Sequence, residues 1–230
     1  MTRPVRKRTF HEGGHALTLE KKGEHVELRI GEVPILTSAA LGTERDFGAL
    51  AARFATRAKS RTLIGGLGFG STLRGALAAL GPEAEVIVVE RLQTIVKLGR
   101  GELAPLLEGA LEDPRVRLVR ADAVDVIARE RDLDSILLDV DNGPEWASFP
   151  DNARLYDAAG LRAAWQALRP GGSYAVWSGY AVDPFVHALR AAGFETSTLP
   201  LEEKGRVQAR VYVGRRRAEG APQTPARRAR

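Results

Sequence analysis

The stretch Thr62-Leu63-Ile64-Gly65-Gly66-Leu67-Gly68-Phe69-Gly70-Ser71-Thr72-Leu73-Arg74 decides the fold. Its apolar start reads as a short buried strand, its glycines as a turn, and its end as the first turns of a helix. Glycines at 66, 68 and 70 let the backbone turn sharply and approach a ligand without Cβ clashes. A helix opening near Ser71 turns its free N–H groups toward that ligand. A tight strand-to-helix turn needs the same residues, so the pattern gains weight from its place at the head of a strand-helix-strand unit.

Downstream the rhythm repeats. Apolar runs recur at Val86–Val89, Val116–Val119, Ser135–Leu138 and Tyr174–Trp177, with helical stretches at 71–80, 91–109, 122–130, 157–168 and 183–192. Continuous apolar strands alternating with amphipathic helices predict a parallel sheet covered on both faces. Runs at Glu195–Leu199 and Val207–Val213, around Glu202-Glu203-Lys204-Gly205, are close enough for an antiparallel hairpin. The expectation is an α/β, doubly wound, Rossmann-like sheet of seven mostly parallel strands ending in that hairpin. Upstream, His15–Glu20 and His25–Ile30 alternate around Lys22-Gly23 and predict a small N-terminal β-hairpin, with Val33–Leu36 as a possible third strand. Thr43 is placed to cap a helix over 44–58, with Glu44 in its first turn. The division expected is residues 1–40 as the β segment, 41–214 as the catalytic domain and 215–230 as a disordered basic tail.

The composition bounds the function. The chain of 230 residues has 44% hydrophobic residues, no cysteine and a net charge of +5. The lack of cysteine excludes disulfides, thiolate metal sites and thiol nucleophiles. Residues 215–230 carry +5 and residues 1–8 carry +4, so the rest of the chain carries −4. Basic ends on an acidic body argue against a nucleic-acid enzyme, although the ends remain able to touch RNA or anionic surfaces. No apolar run approaches the roughly 18 residues of a membrane span. The expected location is cytoplasmic, without membrane partners.

The ends of the strands carry the polar groups. Glu90 closes the second strand, where an acidic side chain can accept both hydroxyls of a ribose; a solvated strand-end Glu is the plain alternative. Asp122 closes the third, either as an acceptor for an adenine amino group or as the N-cap of the next helix. The fourth strand runs into Asp139-Val140-Asp141-Asn142-Gly143-Pro144-Glu145-Trp146. Its carboxylates can hold an ammonium group, whose pKa is about 10, and then accept its proton. They also suit a positively charged sulfonium. An Asx-type turn is the structural alternative. Trp146 and Tyr156 can stack on a base or cover a substrate, or can simply pack. His11-Glu12-Gly13-Gly14-His15 matches the HExxH zinc pattern, but two glycines at about 1 kcal/mol each disfavour the helix that zinc would need. No metal is expected.

These residues resemble the spermidine synthase family of polyamine aminopropyltransferases, within the class I S-adenosylmethionine-dependent methyltransferase fold. The resemblance spans residues 33–213 and includes the loop with its Thr72-Leu73-Arg74 ending, Asp113-Pro114-Arg115-Val116, Ala121-Asp122-Ala123, Asp134 to Asp139, Leu155-Tyr156 and Leu168-Arg169-Pro170-Gly171-Gly172. Leu36-Thr37-Ser38 and Thr43-Glu44-Arg45-Asp46 resemble the segment that joins the family's N-terminal β-domain to its catalytic domain. It implies that Gly66, Gly68, Gly70, Glu90, Asp122, Ala123 and Asp139 bind the donor nucleoside, and that Asp139, with Asp141, provides the catalytic base. Asp141, Asn142, Glu145, Trp146 and Tyr156 would face the acceptor. Four features depart from the family: Phe69 stands where its loop usually has Asp, Asp46 leads into Phe47-Gly48-Ala49-Leu50 without the Tyr-His pair, Asp141-Asn142 alters the second acidic position, and the N-terminal domain is short. The implied reaction moves an aminopropyl group from decarboxylated S-adenosylmethionine to a small-molecule amine, in a homodimer. Methyl transfer from S-adenosylmethionine to a small molecule is the alternative. A non-catalytic nucleoside binder and an NAD dehydrogenase rank lower.

Overall fold

The computed structural model describes residues 5–39, 41–140, 143–145 and 150–218. The first half of the chain gives β1 (Arg6–Glu12), β2 (His15–Lys22), β3 (His25–Ile30), β4 (Val33–Thr37), α1 (Gly42–Phe54), β5 (Arg61–Gly65), α2 (Ser71–Ala79), β6 (Glu85–Val89), α3 (Gln93–Arg100) and α4 (Ala104–Leu107). The second half gives β7 (Val116–Val119), α5 (Ala123–Arg129), β8 (Leu133–Leu138), α6 (Ala158–Ala167), β9 (Leu168–Ser178), α7 (Asp183–Ala191), β10 (Glu195–Glu203) and β11 (Arg206–Arg215).

The large sheet has the order β10-β11-β9-β8-β5-β6-β7. Strands β9, β8, β5, β6 and β7 are parallel, and the β10–β11 hairpin joins β9 antiparallel. Side chains alternate across each strand, and both faces are buried. Ile64, Val86, Val88 and Leu137 pack on one side with Phe47, Leu73 and the N-terminal sheet. Leu63, Ile87, Ile136 and Tyr174 pack on the other with Leu161, Phe185 and Leu189. The expected seven-stranded α/β sheet is the one observed.

The N-terminal sheet is larger than the hairpin expected. It has four antiparallel strands in the order β1-β2-β3-β4. Strand β1 escaped sequence reading because it lies at the edge, where Arg6, Lys7 and Arg8 are exposed and no apolar alternation is required. The zinc-like motif forms the β1–β2 hairpin: Gly13 and Gly14 have φ of 59° and 80°, as a two-residue turn requires. Its two histidines therefore lie on separate strands, not on one helix face. Glu12 accepts the Gln93 and Thr94 N–H groups at 2.7 and 2.8 Å, capping α3 and tying the small sheet to the large one.

Other boundaries moved for local reasons. Helix α1 begins at Gly42 with Leu41 at its N-cap, and Thr43 is buried within the first turn instead of capping it. The 91–109 helix breaks into α3 and α4 where Gly101 adopts a non-helical conformation. Residues 215–217 are ordered: Arg215 closes β11, Arg216 lies 3.8 Å over the Trp165 ring, and Arg217 pairs with Glu195. Residues 219–230 of the expected tail lie outside the described residues.

Two features lock the elements around the sheet. Helices α1 and α2 cross at backbone contact, because a Cβ at Gly48 would overlap the Thr72 carbonyl and one at Gly75 the Arg45 carbonyl. At the opposite end of β8, fully buried Asp134 accepts from the Arg61 N–H and from the side chains of Thr56, Arg57 and Arg169. Burial pushes its carboxyl up, but the Arg61 N–H and the Arg169 and Arg57 guanidiniums outweigh it and hold the group below its ordinary value.

Candidate functional site

Strands β7, β6, β5 and β8 end side by side, and each delivers one feature to the same cleft: Asp122, Glu90, the glycine loop and Asp139. The cleft is also lined by Gly66, Gly68, Ala123, Arg91, Asn152 and the β4 residues Ile35 and Leu36. It lies where open parallel sheets bind ligands.

The loop is shaped by contact as much as by turning. Gly66 has a φ of 92°, and a Cβ there would overlap the Asp139 carbonyl. Gly68 has a φ of 50° and lies against Leu36. Gly70 does not line the cleft: it precedes α2 with a φ of 83°, and a Cβ would stand 2.8 Å from Leu107 Cγ. Its role is to admit Leu107, which corrects its assignment as a ligand-facing residue. Phe69 is buried in the core beneath the loop.

Glu90 is 6% exposed and accepts the Leu67 N–H at 3.0 Å on Oε2 and the Leu92 N–H at 2.7 Å on Oε1. The Arg91 N–H also acts on the carboxyl; a carboxylate has about four lone-pair sites, so acceptor capacity is left for a ligand. Burial raises its carboxyl above the ordinary value, and the Leu92 and Leu67 N–H groups offset part of that. Asp122 reconciles its two sequence readings. It caps α5 by accepting the Val124 N–H at 2.9 Å on Oδ1, and it also lines the cleft.

Asp139 joins this cleft to a second chamber. Its backbone N–H donates to the Gly65 carbonyl at 2.9 Å, and its Oδ2 accepts the Thr72 hydroxyl at 2.5 Å. The second chamber is walled by β3–β4 residues including Glu27, by Thr43 and Glu44 of α1, by Trp177 of β9, and by Glu203 and Gln208 of the C-terminal hairpin. Glu27, Glu44, Asp139 and Glu203 give it four carboxyls, and none of its described lining residues is a cation. Glu27 is bound by Arg29 at 2.9 Å. The buried Trp177 Nε1–H has no hydrogen-bond partner among the described residues. Burial, and then the Asp139 charge, push the Glu44 carboxyl up to about 9.

Of the residues singled out in the sequence, Gly66, Gly68, Glu90, Asp122, Ala123 and Asp139 meet in the cleft. Tyr156 does not: it is buried with its ring edge-on to Phe185 at 5.8 Å, so packing is its role. Glu145 is exposed and lines neither cavity. Asp141, Asn142 and Trp146 lie outside the described residues. Sequence reasoning missed Ile35 and Leu36, Thr72, and above all Glu44, which it read as an ordinary first-turn acid of a helix.

No protein-family model matches the chain, and no curated protein is significantly similar to it in sequence. Solved structures do match. A spermidine synthase in complex with the transition-state analogue AdoDATO is 17% identical, with a TM-score of 0.71 over 91% of this chain and 72% of that one. Spermidine synthase from Thermotoga maritima is 18% identical, with a TM-score of 0.72 and the same coverage. The chain thus has a spermidine synthase-like fold.

Proposed function

We propose that this protein is an aminopropyltransferase, taking the aminopropyl group of decarboxylated S-adenosylmethionine to a small amine acceptor. The order of groups along the sheet edge supports the donor: Asp122 for the base, Glu90 for the ribose, the glycine loop for the sugar-to-sulfur turn, and Asp139 beside the sulfonium. The observation that carries the transferred group is the charge of the chamber beyond Asp139. Its described lining has carboxyls and no cation, which suits an arm ending in an ammonium and disfavours one ending in the carboxylate of S-adenosylmethionine. Arg74, the basic residue that follows the loop in sequence, is engaged elsewhere, with the Leu106 carbonyl and with Glu108, and Arg91, which lines the cleft, pairs with Asp151 at 3.3 Å.

In the reaction Asp139 accepts one proton from the acceptor ammonium, freeing its lone pair. That nitrogen attacks the carbon next to sulfur, forming the N–C bond as the C–S bond breaks. The electron pair goes to sulfur, and neutral methylthioadenosine leaves. The product amine carries the positive charge that sulfur lost, and the proton on Asp139 passes to solvent. Positioning and deprotonation supply the catalysis, because a sulfonium needs little further activation. The test is mass spectrometry of an amine pool incubated with each donor. Products heavier by an aminopropyl unit are expected with the decarboxylated donor; products heavier by a methyl unit, from S-adenosylmethionine alone, would select the methyltransferase reading. Asp139→Asn should lower turnover by at least about a thousandfold while keeping methylthioadenosine binding.

A further inference from the structure

Glu44 lines the second chamber with Asp139, and the resemblance that covers its segment gives this carboxyl no role. It stands in the first turn of α1, half-buried, and α1 is held against α2 by the Gly48 and Gly75 backbone contacts. Thr72 fixes the geometry from between, donating to Asp139 Oδ2 at 2.5 Å and approaching the Glu44 carbonyl at 3.2 Å. Among the described residues no cation or N–H donor pairs with the Glu44 side chain. The other carboxyls that line the same chamber are Asp139 from the end of β8, whose charge acts on Glu44, Glu27 from β3 with its Arg29 partner, and Glu203 from β10 beside Gly42. A carboxyl placed beside another carboxylate without a counter-charge is unfavourable in the free protein, and a cation arriving in the chamber removes that cost.

We propose that Glu44 is a specificity-determining residue of this site: its carboxylate seats a primary ammonium group brought in by substrate, either the amine at the end of the donor's three-carbon arm or that of the acceptor. The proposal rests on the donor and acceptor reading above. It explains how the chain recognises an ammonium although Phe69 fills the core where a loop acid would stand. It also carries a proton signature. In the free protein the carboxyl, pushed up to about 9, holds a proton at neutral pH; an ammonium guest expels it.

The experiment is calorimetry on the full chain and on Glu44→Gln, a neutral isostere that mimics the protonated side chain and should fold as the parent does. The ligands are methylthioadenosine, decarboxylated S-adenosylmethionine and 1,4-diaminobutane, the last titrated in the presence of methylthioadenosine. Methylthioadenosine lacks the amine and should bind both proteins within about twofold. At least one amine ligand should bind the variant roughly thirtyfold more weakly; loss for the donor identifies the arm as the guest, and loss for the diamine identifies the acceptor. In buffers of different ionisation enthalpy near pH 7.5, that ligand should release about one proton from the parent and almost none from the variant. Equal affinity of both amine ligands for the two proteins, or an equal loss of all three ligands, would overturn the proposal. Failure of methylthioadenosine to bind the parent would instead overturn the nucleoside reading on which it stands.

Discussion

Replacing Glu90 by Gln tests the nucleoside site at its most constrained point. Its carboxylate oxygens already accept the Leu67 and Leu92 N–H groups, with the Arg91 N–H also acting on them, and keep acceptor capacity for a ribose hydroxyl. Glutamine has only one acceptor oxygen. Its amino group must turn toward either an N–H or a hydroxyl, so at least one charge-assisted bond is lost and one donor faces another. Hydrogen bonds to charged groups contribute about 1.5–3 kcal/mol each, which gives an expected loss of about 2–4 kcal/mol, or roughly 30- to 1,000-fold in Kd for methylthioadenosine. Because the Leu67 N–H belongs to the glycine loop, some of that loss could come from a displaced loop. A 2′,3′-dideoxy analogue separates the two. If Glu90 holds the ribose directly, the penalty of the substitution shrinks by at least about 1 kcal/mol with the analogue. An undiminished penalty with the analogue, or a loss below about threefold with the parent ligand, would refute the reasoning. Acid should act in the same direction: the raised Glu90 carboxyl protonates above the ordinary carboxylate range, so affinity should fall on acidification from a higher pH than an exposed glutamate would give.

Further outcomes follow from the same geometry. Asp134→Ala should cost about 3–5 kcal/mol in chemical denaturation, because it leaves the Arg57 and Arg169 guanidiniums facing a buried hole. The folded-state pKa of Asp134 is depressed, so its contribution is present above the unfolded value and lost as pH falls through the folded one; Asp134→Asn should therefore flatten the acid limb of the stability profile. Glu44 has the opposite sign: its raised pKa favours the fold below the unfolded value of 4.5, and that advantage is lost as pH rises toward about 9. Glu44→Gln should gain on the parent in thermal stability across that window, and no gain at its alkaline end would contradict the burial argument. Gly66→Ala should abolish methylthioadenosine binding, since the new Cβ meets the Asp139 carbonyl at a backbone angle that only glycine adopts freely; retained affinity would mean that the loop can move away from β8.

The two kinds of information divided along physical lines. The central strands were legible because a strand buried on both faces must be apolar throughout, as Val86–Val89 and Ser135–Leu138 nearly are. Strand β1 was not, because an exposed edge imposes no such pattern. The donor side was legible for a related reason: parallel strands place their carboxyl ends on one edge, so Gly66, Glu90, Asp122 and Asp139 had to converge once the strands were identified. Tyr156 and Gly70 looked like ligand contacts and serve packing, against Phe185 and Leu107, because ring stacking and glycine turns are used alike by cores and by sites.

The glycine loop and the acids at the strand ends therefore determined, from sequence alone, that Gly66, Glu90, Asp122 and Asp139 would gather at one sheet edge. What lies beyond Asp139 was decided only by tertiary structure. Glu27, Glu44 and Glu203 come from β3, α1 and β10, separated in sequence and without a shared motif. They meet because α1 is pressed to α2 through two glycines and because the N-terminal sheet and the C-terminal hairpin close over the same strand ends. Local sequence encodes hydrogen-bonding and burial patterns within an element; the charge of a chamber is a sum over elements, and it exists only once they are packed.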